Sequence, residues 1–295
     1  MGLEPRTNSL LKKHSKNAIV LIAMIPFVVW LPQKPIDPWK LFQLKKIATI
    51  IFALSLTQFL GHALNQSFGK RWGAILTGFF GGLVSSTATT AALAKRSLAD
   101  SSPLALSTAL LTFLSATLAM LVEAVVILQF GSADFHLGIL GLLLGPLLIS
   151  ILLMIRESHR IGPETLSIQE EQTQFDWSGI LKLTAVIVLL LTASKLLQIW
   201  VGKNGIYLLT FFVSLFEVHG SLVANTQLFD SQDINLAELG NLAAIAISAT
   251  YVSKFFLIAT LGSPELKKKA RSVSLLLMLA LGMGWIGFVW LGSTH

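Results

Sequence analysis

Runs of about twenty apolar residues recur from one end of this chain to the other, and a helix rising about 1.5 Å per residue needs about twenty to cross about 30 Å of hydrocarbon. Charge-poor stretches fall at 18–31, 47–66, 72–94, 103–130, 136–155, 178–200, 205–229, 237–261 and 272–291. These runs are continuous and lack the alternation of a barrel strand, so helices are the only spanning form open to them. Only 13% of the 295 residues are charged and the mean hydropathy is +0.72, which leaves too little polar surface to solvate a globule. The expected fold is all-α, a polytopic integral membrane bundle of about eight to nine transmembrane helices. The lower number applies if the short first run, which carries Pro26 and ends at Pro32, only dips into the bilayer. Lys12, Lys13 and Lys16 ahead of that run would suit a signal peptide. No small-x-small cleavage site follows, so the run is kept with the chain.

The 22 Lys and Arg outnumber the 15 Asp and Glu, but they sit at the ends of apolar runs, which is the pattern of membrane orientation rather than of nucleic-acid binding. The expected location is the inner (plasma) membrane of a bacterium, with the N-terminus cytoplasmic. If every run crosses, Lys203, Lys267, Lys268, Lys269 and Arg271 share the N-terminal side. The absence of cysteine excludes a disulfide scaffold, a thiolate metal site and a cysteine nucleophile.

The longest polar connection, 156–177, gathers Glu157, Glu164, Glu170, Glu171 and Asp176 around Gly162-Pro163. It divides a single membrane domain, 1–295, into candidate repeat halves 33–155 and 178–291. Across that divide GKRWGAILTGFF (69–80) matches VGKNGIYLLTFF (201–212): setting Gly73 on Gly205 aligns Leu76 with Leu208 and Phe79-Phe80 with Phe211-Phe212. Crossing by every run would make the repeats parallel. A third run that turns back inside the membrane would invert them.

The third run is thin and polar for its surroundings. Gly78, Gly82, Ser86 and Thr90 form one helical stripe, and Gly81, Ser85 and Thr89 the next, with Thr87 beside them. One reading is close helix packing through small residues; the other is a discontinuous helix around Gly81-Gly82 whose freed backbone groups and hydroxyls line a binding site. The seventh run carries Glu217 and His219 deep in apolar sequence, where ionisable groups are costly and functional. On an unbroken helix Thr210, Ser214, Glu217, Ser221 and Asn225 share one face and His219 is turned about 200° away, so both ionisable groups can serve one site only if the helix unwinds near Gly220. Glu123 continues a stripe of Thr108, Thr112, Ser115 and Ala119 on the fourth run as a second buried carboxylate. Lys254 lies well inside the eighth run and is the expected partner of Glu217 or Glu123, while Lys195 is placed to snorkel to the interface.

The run GAILTGFFGGLVSSTATTAALAKRS resembles the signature of the C-terminal membrane domain of unknown function associated with MgtC/SapB-type proteins, whose core is Gly-Gly-Leu-Val-Ser-Ser-Thr-Ala-x-Thr. Upstream, Leu31-Pro32, Pro35, Pro38, Trp39, Phe59-Leu60-Gly61, Gly69 and Gly73 follow the same order. The resemblance runs from about residue 17 onward and is densest between 59 and 97. The family's Asp-x-Asp stands here as Glu217-Val218-His219, and its Asn-x-x-x-Lys as Thr250-x-x-x-Lys254. Replacing one acid by a histidine removes half of the charge a hard cation such as Mg²⁺ would need, so the identity of any metal stays open. No MgtC module precedes the domain, which the resemblance therefore places here standing alone.

The resulting expectation is a membrane transporter or channel for a cation or small polar solute. Its site draws on Gly81, Gly82, Ser85, Ser86, Thr87, Thr89, Thr90, Glu217, His219, Glu123 and Lys254. The alternative is a non-transporting partner or regulatory protein that packs against another membrane protein, or against a second copy of itself. No hydrolase, metalloprotease or nucleotide-binding motif is present and no organic cofactor is implied, so an enzyme is not expected. The expected partners are the lipid bilayer and a small solute or ion, and no nucleic acid.

Overall fold

The computed structural model describes residues 22–32, scattered positions between 44 and 56, then 73–100, 102–131, 137–160 and 202–292, with isolated positions at 189 and 192–193. Regular structure among them is all helical: α1 Gly73–Ala99, α2 Pro103–Phe130, α3 Leu137–Ser158, α4 Lys203–Ser214, α5 Val218–Asp230, α6 Leu236–Leu261 and α7 Pro264–Gly292, after a helical stretch at 22–30. Among the described residues four helices are long and apolar enough to cross a membrane: α2, α3, α6 and α7. The expected runs at 47–66 and 178–200, Lys195, most of the polar connection 156–177 and part of the run 18–31 lie outside the described residues.

Local chemistry sets the helix starts. Ser102 caps α2 by accepting the Ala105 amide, ahead of Pro103 in the first turn, where its missing N–H leaves nothing unsatisfied. Asn235 and Glu238 cap α6 reciprocally, each side chain accepting the other's backbone N–H.

The third and seventh runs are not straight spans. In α1 the helix breaks at Ser85, whose φ of −164° and ψ of 102° are extended. A Cβ added at Gly81 would lie 2.8 Å from Thr89 Oγ1, although eight residues of straight helix would separate the two by about 12 Å. The chain therefore folds back on itself at the break. The expected interruption at Gly81-Gly82 is displaced to Ser85 because Gly82 is occupied in packing: its Cβ would meet Ala116 Cα at 2.6 Å.

The seventh run is likewise two helices, α4 and α5, separated by a turn at 215–217. Thr210 donates to Asn225 Oδ1 at 3.3 Å across fifteen residues, so α4 lies back along α5. The unwinding expected near Gly220 occurs before it, and Gly220 sits inside α5, because the Glu217 carboxylate rather than the glycine starts the new helix.

Contacts along the helices give their directions. Gly78 faces Thr112 and Ser115 and Gly82 faces Ala116 and Ala119, so the first half of α1 runs parallel to α2. His219 meets Glu123, and Thr226 meets Gly131, so α5 also runs parallel to α2. After the short turn at 231–235, α6 returns along α5 and is antiparallel to α2. Gly145 packs on Ala280 and Gly284 on Leu142, which makes α3 and α7 antiparallel. The apolar window of α2 is 78% buried against 28% for α3 and 33% for α7, so α2 is the central helix. α3 and α7 turn Leu144, Leu148, Leu152, Leu279, Met283 and Ile286 outward, as lipid-facing helices do.

These directions redistribute the charges. The Ser263 amide donates to Ser97 Oγ at 2.9 Å, joining the end of α1 to the junction of α6 and α7. Lys95 and Arg96 therefore share a face with Lys267, Lys268, Lys269 and Arg271, and the antiparallel pairing of α3 with α7 brings Arg156 there too. Lys203 lies at the opposite end, where α5 and α6 meet. The expected grouping of Lys203 with Lys267–Lys269 is thus overturned, because a run that folds back contributes no crossing to the alternation.

Candidate functional site

Both breaks are capped in the same way. Ser85 Oγ accepts the Ala88 amide at 3.2 Å, and Glu217 Oε1 accepts the His219 and Gly220 amides at 3.0 and 3.4 Å. Each residue thereby satisfies donors that the start of the following helix would leave bare. The carboxylate has the further advantage of sitting at the positive end of α5. Opposite it, the carbonyl of Ser214, freed at the end of α4, accepts the Thr250 hydroxyl from α6 at 3.0 Å.

The turn at Glu217 removes the obstacle of a continuous helix, on which Glu217 and His219 would face apart. His219 Nδ1 lies 3.3 Å from Glu217 Oε1 and its Nε2 lies 3.0 Å from Glu123 Oε2 of α2. One imidazole thus bridges two carboxylates, one at the turn and one on the central helix. No group of three His, Cys, Asp or Glu residues among the described ones is arranged to hold a metal ion.

Lys254 is fully buried but reaches different partners from those expected. Its Nζ lies 3.5 Å from Thr117 Oγ1 and 3.4 Å from Met120 Sδ. Neither Glu123 nor Glu217 forms an ion pair with it; both are turned to His219. Lys254 stands one turn beyond Thr250 on α6, so the Thr250-x-x-x-Lys254 pair serves two places, the freed Ser214 carbonyl and the face of α2.

The small and hydroxyl residues of α1 divide between two tasks. Gly82 packs against α2, and Gly81 admits Thr89 across the fold. Ser85 caps the break, Ser86 and Thr90 are buried with the Thr90 hydroxyl donating to the Ser86 carbonyl at 2.7 Å, and Thr87 is half-buried. The stripe on α2 also splits: Thr112 and Ser115 face Gly78 of α1 whereas Glu123 faces α5.

Sequence reasoning missed Thr117, Met120, Tyr251 and Gln227. Tyr251 lies on α6 one turn before Lys254, and Gln227 is fully buried on α5. Thr117 and Met120 did not stand out by spacing, because they meet Lys254 across helices rather than along one. The Ser214 hydroxyl, Asn225 Nδ2, both amide atoms of Gln227 and the Tyr251 hydroxyl are buried with no hydrogen-bond partner. Such groups are rare in protein interiors; these lie on α4, α5 and α6, and Gln129, Ser150, Glu157 and Ser274 carry others on α2, α3 and α7.

A family described as "Domain of unknown function (DUF4010)" matches residues 53–262. No curated protein and no solved structure matches.

Proposed function

The chain belongs to the DUF4010 family, and on that premise we propose that it is a membrane carrier for a cation or small polar solute, built from two inverted repeats whose folded-back helices meet at the binding site. The observation that carries this reading is the correspondence of the two breaks. The register that sets Gly73 on Gly205 also sets Ser85 on Glu217, and both residues are extended N-caps that start a new helix. The same register brings α2 onto α6 and α3 onto α7, each pair being antiparallel. A half-helix that stops in mid-membrane exposes amide and carbonyl groups, and such backbone is stable only around a polar hollow or inside protein. The unpaired groups of Ser214, Asn225, Gln227 and Tyr251 supply the polar lining.

The face carrying Lys95, Arg96, Arg156 and Lys267–Lys269 is then the cytoplasmic one. The connection with MgtC/SapB-type proteins, and through them with cation balance, comes from the motif at 73–97 and belongs to this proposal. A second reading, packing against a membrane partner or a second copy, is favoured by one observation. Gly141, Gly282 and Gly287 on the outward helices have open space where a Cβ would stand, which offers bare backbone to a neighbouring helix.

The test is flux in proteoliposomes, with protons, Na⁺, K⁺, Mg²⁺ and small carboxylates as probes, comparing the intact chain with Glu217→Gln. The amide keeps an oxygen for the His219 and Gly220 amides, so the variant folds and flux is lost. Equal flux in both removes Glu217 from the mechanism, and no flux with any probe favours the partner reading.

A further inference from the structure

Resting on the carrier reading above, we infer that Glu217, His219 and Glu123 form a proton relay that loads Glu123, which makes the proton the coupling ion. The three side chains form an unbroken line of titratable groups, with steps of 3.3 Å and 3.0 Å. Side-chain exposure falls along that line from 36% at Glu217 through 16% at His219 to 1% at Glu123. The line therefore leads inward from a solvated end to a sealed one.

Its two ends differ in how firmly they are held. Glu217 Oε1 accepts two backbone amides at the start of α5, which fits an ionised acceptor. Glu123 Oε2 and His219 Nε2 are close, yet neither has an aligned hydrogen bond. A small rotation of the imidazole completes or breaks that contact. The inner step is thus adjustable while the outer carboxylate is fixed, the arrangement expected of a shuttle rather than of a structural ion pair.

The proton transfer balances without any further reactant. A proton taken up at Glu217 passes to Nδ1 of a neutral imidazole that carries its hydrogen on Nε2. The Nε2 proton passes to Oε2 of Glu123. The products are an ionised Glu217, the other neutral tautomer of His219 and a carboxylic acid at Glu123. Reversal, or rotation of the ring, resets the relay.

Among the described residues the groups facing this line are few. The turn before α5 supplies Glu217, α2 supplies Glu123, and α6 brings Lys254 and Tyr251, all buried except Glu217. α4 carries the Thr210 hydroxyl, which donates to Asn225 Oδ1, and the buried Ser214 hydroxyl. Loading Glu123 removes one negative charge from the sealed end of the line. Enclosing a neutral acid there in a low-dielectric interior avoids the penalty of an uncompensated ion. The corresponding positions of the other fold-back are Ser85 and Thr87, which do not titrate, so proton loading belongs to one half of the molecule and leaves the other for the solute.

Infrared difference spectroscopy of the purified full chain in phosphatidylcholine–phosphatidylglycerol vesicles, stepped between about pH 8 and about pH 5, tests this directly. A carboxylic-acid carbonyl band that grows on acidification is expected, absent in Glu123→Gln and displaced by at least about one pH unit in His219→Gln, a tenfold change in proton affinity. If Glu123→Gln fails to fold, the displacement in His219→Gln carries the test. A band identical in all three proteins overturns the relay. The same vesicles, assayed for flux with the probes above, separate the two readings. A titrating band without solute flux supports proton loading and removes the carrier, whereas solute flux that ignores an imposed pH gradient overturns proton coupling and leaves the carrier standing.

Discussion

Gly82→Ala adds a single methyl group at one of the two close approaches, with Gly78, between the fold-back of α1 and the central helix. That methyl would lie 2.6 Å from Ala116 Cα, 2.8 Å from Ala116 O and 3.0 Å from Ala119 Cβ. Ordinary carbon contacts are about 3.5–4.0 Å, and two of the three obstructing atoms are backbone, which no rotamer change can move. The first half of α1 must therefore lift from α2 by about 1 Å, and a gap of that size forfeits a quarter to a half of each dispersion contact it opens. The contacts at stake include Phe80 and Leu83 against Ala119. Overpacking of this kind costs about 1–3 kcal/mol, offset by the roughly 0.5–1 kcal/mol that alanine gains over glycine inside a helix. At about 2–4 °C per kcal/mol, the net fall in Tm is up to about 10 °C, and the full overpacking cost separates it by about 2–12 °C from a substitution that gains only helix propensity, read by tryptophan fluorescence of the detergent-solubilised protein. Gly141→Ala is the control, since nothing lies within 4 Å of its added Cβ and only the helix-propensity gain remains. Gly78→Ala combined with Gly82→Ala should cost less than the sum of the two, because one displacement relieves both clashes. A Gly82→Ala protein melting at or above Gly141→Ala would refute the close approach.

Two further outcomes follow from the same geometry. The chain has no cysteine, so single substitutions report cleanly: Lys95→Cys and Lys268→Cys should react with a membrane-impermeant maleimide from the same side of sealed vesicles, and Asp233→Cys from the other, whereas labelling of Lys95→Cys and Lys268→Cys from opposite sides would show that α1 crosses. Ser97→Ala removes the acceptor of the buried Ser263 amide and should lower stability by about 1–3 kcal/mol, seen as a lower Tm; an unchanged Tm would mean that the junction of α1 with α7 adds nothing to the fold.

The sequence alone determined the solvent and the secondary structure. Unbroken apolar runs at 103–130, 136–155, 237–261 and 272–291 could only be helices in lipid, and they appear as α2, α3, α6 and α7, because hydrogen bonding within each segment is the one way to satisfy a backbone that water cannot reach. The runs at 72–94 and 205–229 were also recognisable as odd, from the crowding of Gly, Ser and Thr in one and from Glu217 and His219 in the other. Helical periodicity could not say where they break, because a break is set by which residue can cap the next helix and which is needed in packing. Gly82 is held against α2, so the turn falls to Ser85; Gly220 is dispensable as a hinge once the Glu217 carboxylate accepts the amides that follow it. The partners of the buried charges were decided only by the tertiary structure. Helix spacing turned His219 away from Glu217 and left Lys254 to pair with an acid, yet the turn at 215–217 swings the imidazole between Glu217 and Glu123 while Lys254 faces Thr117 and Met120. Spacing along a helix determines which face a residue occupies, but which helix lies against that face depends on crossings and directions that no single segment contains.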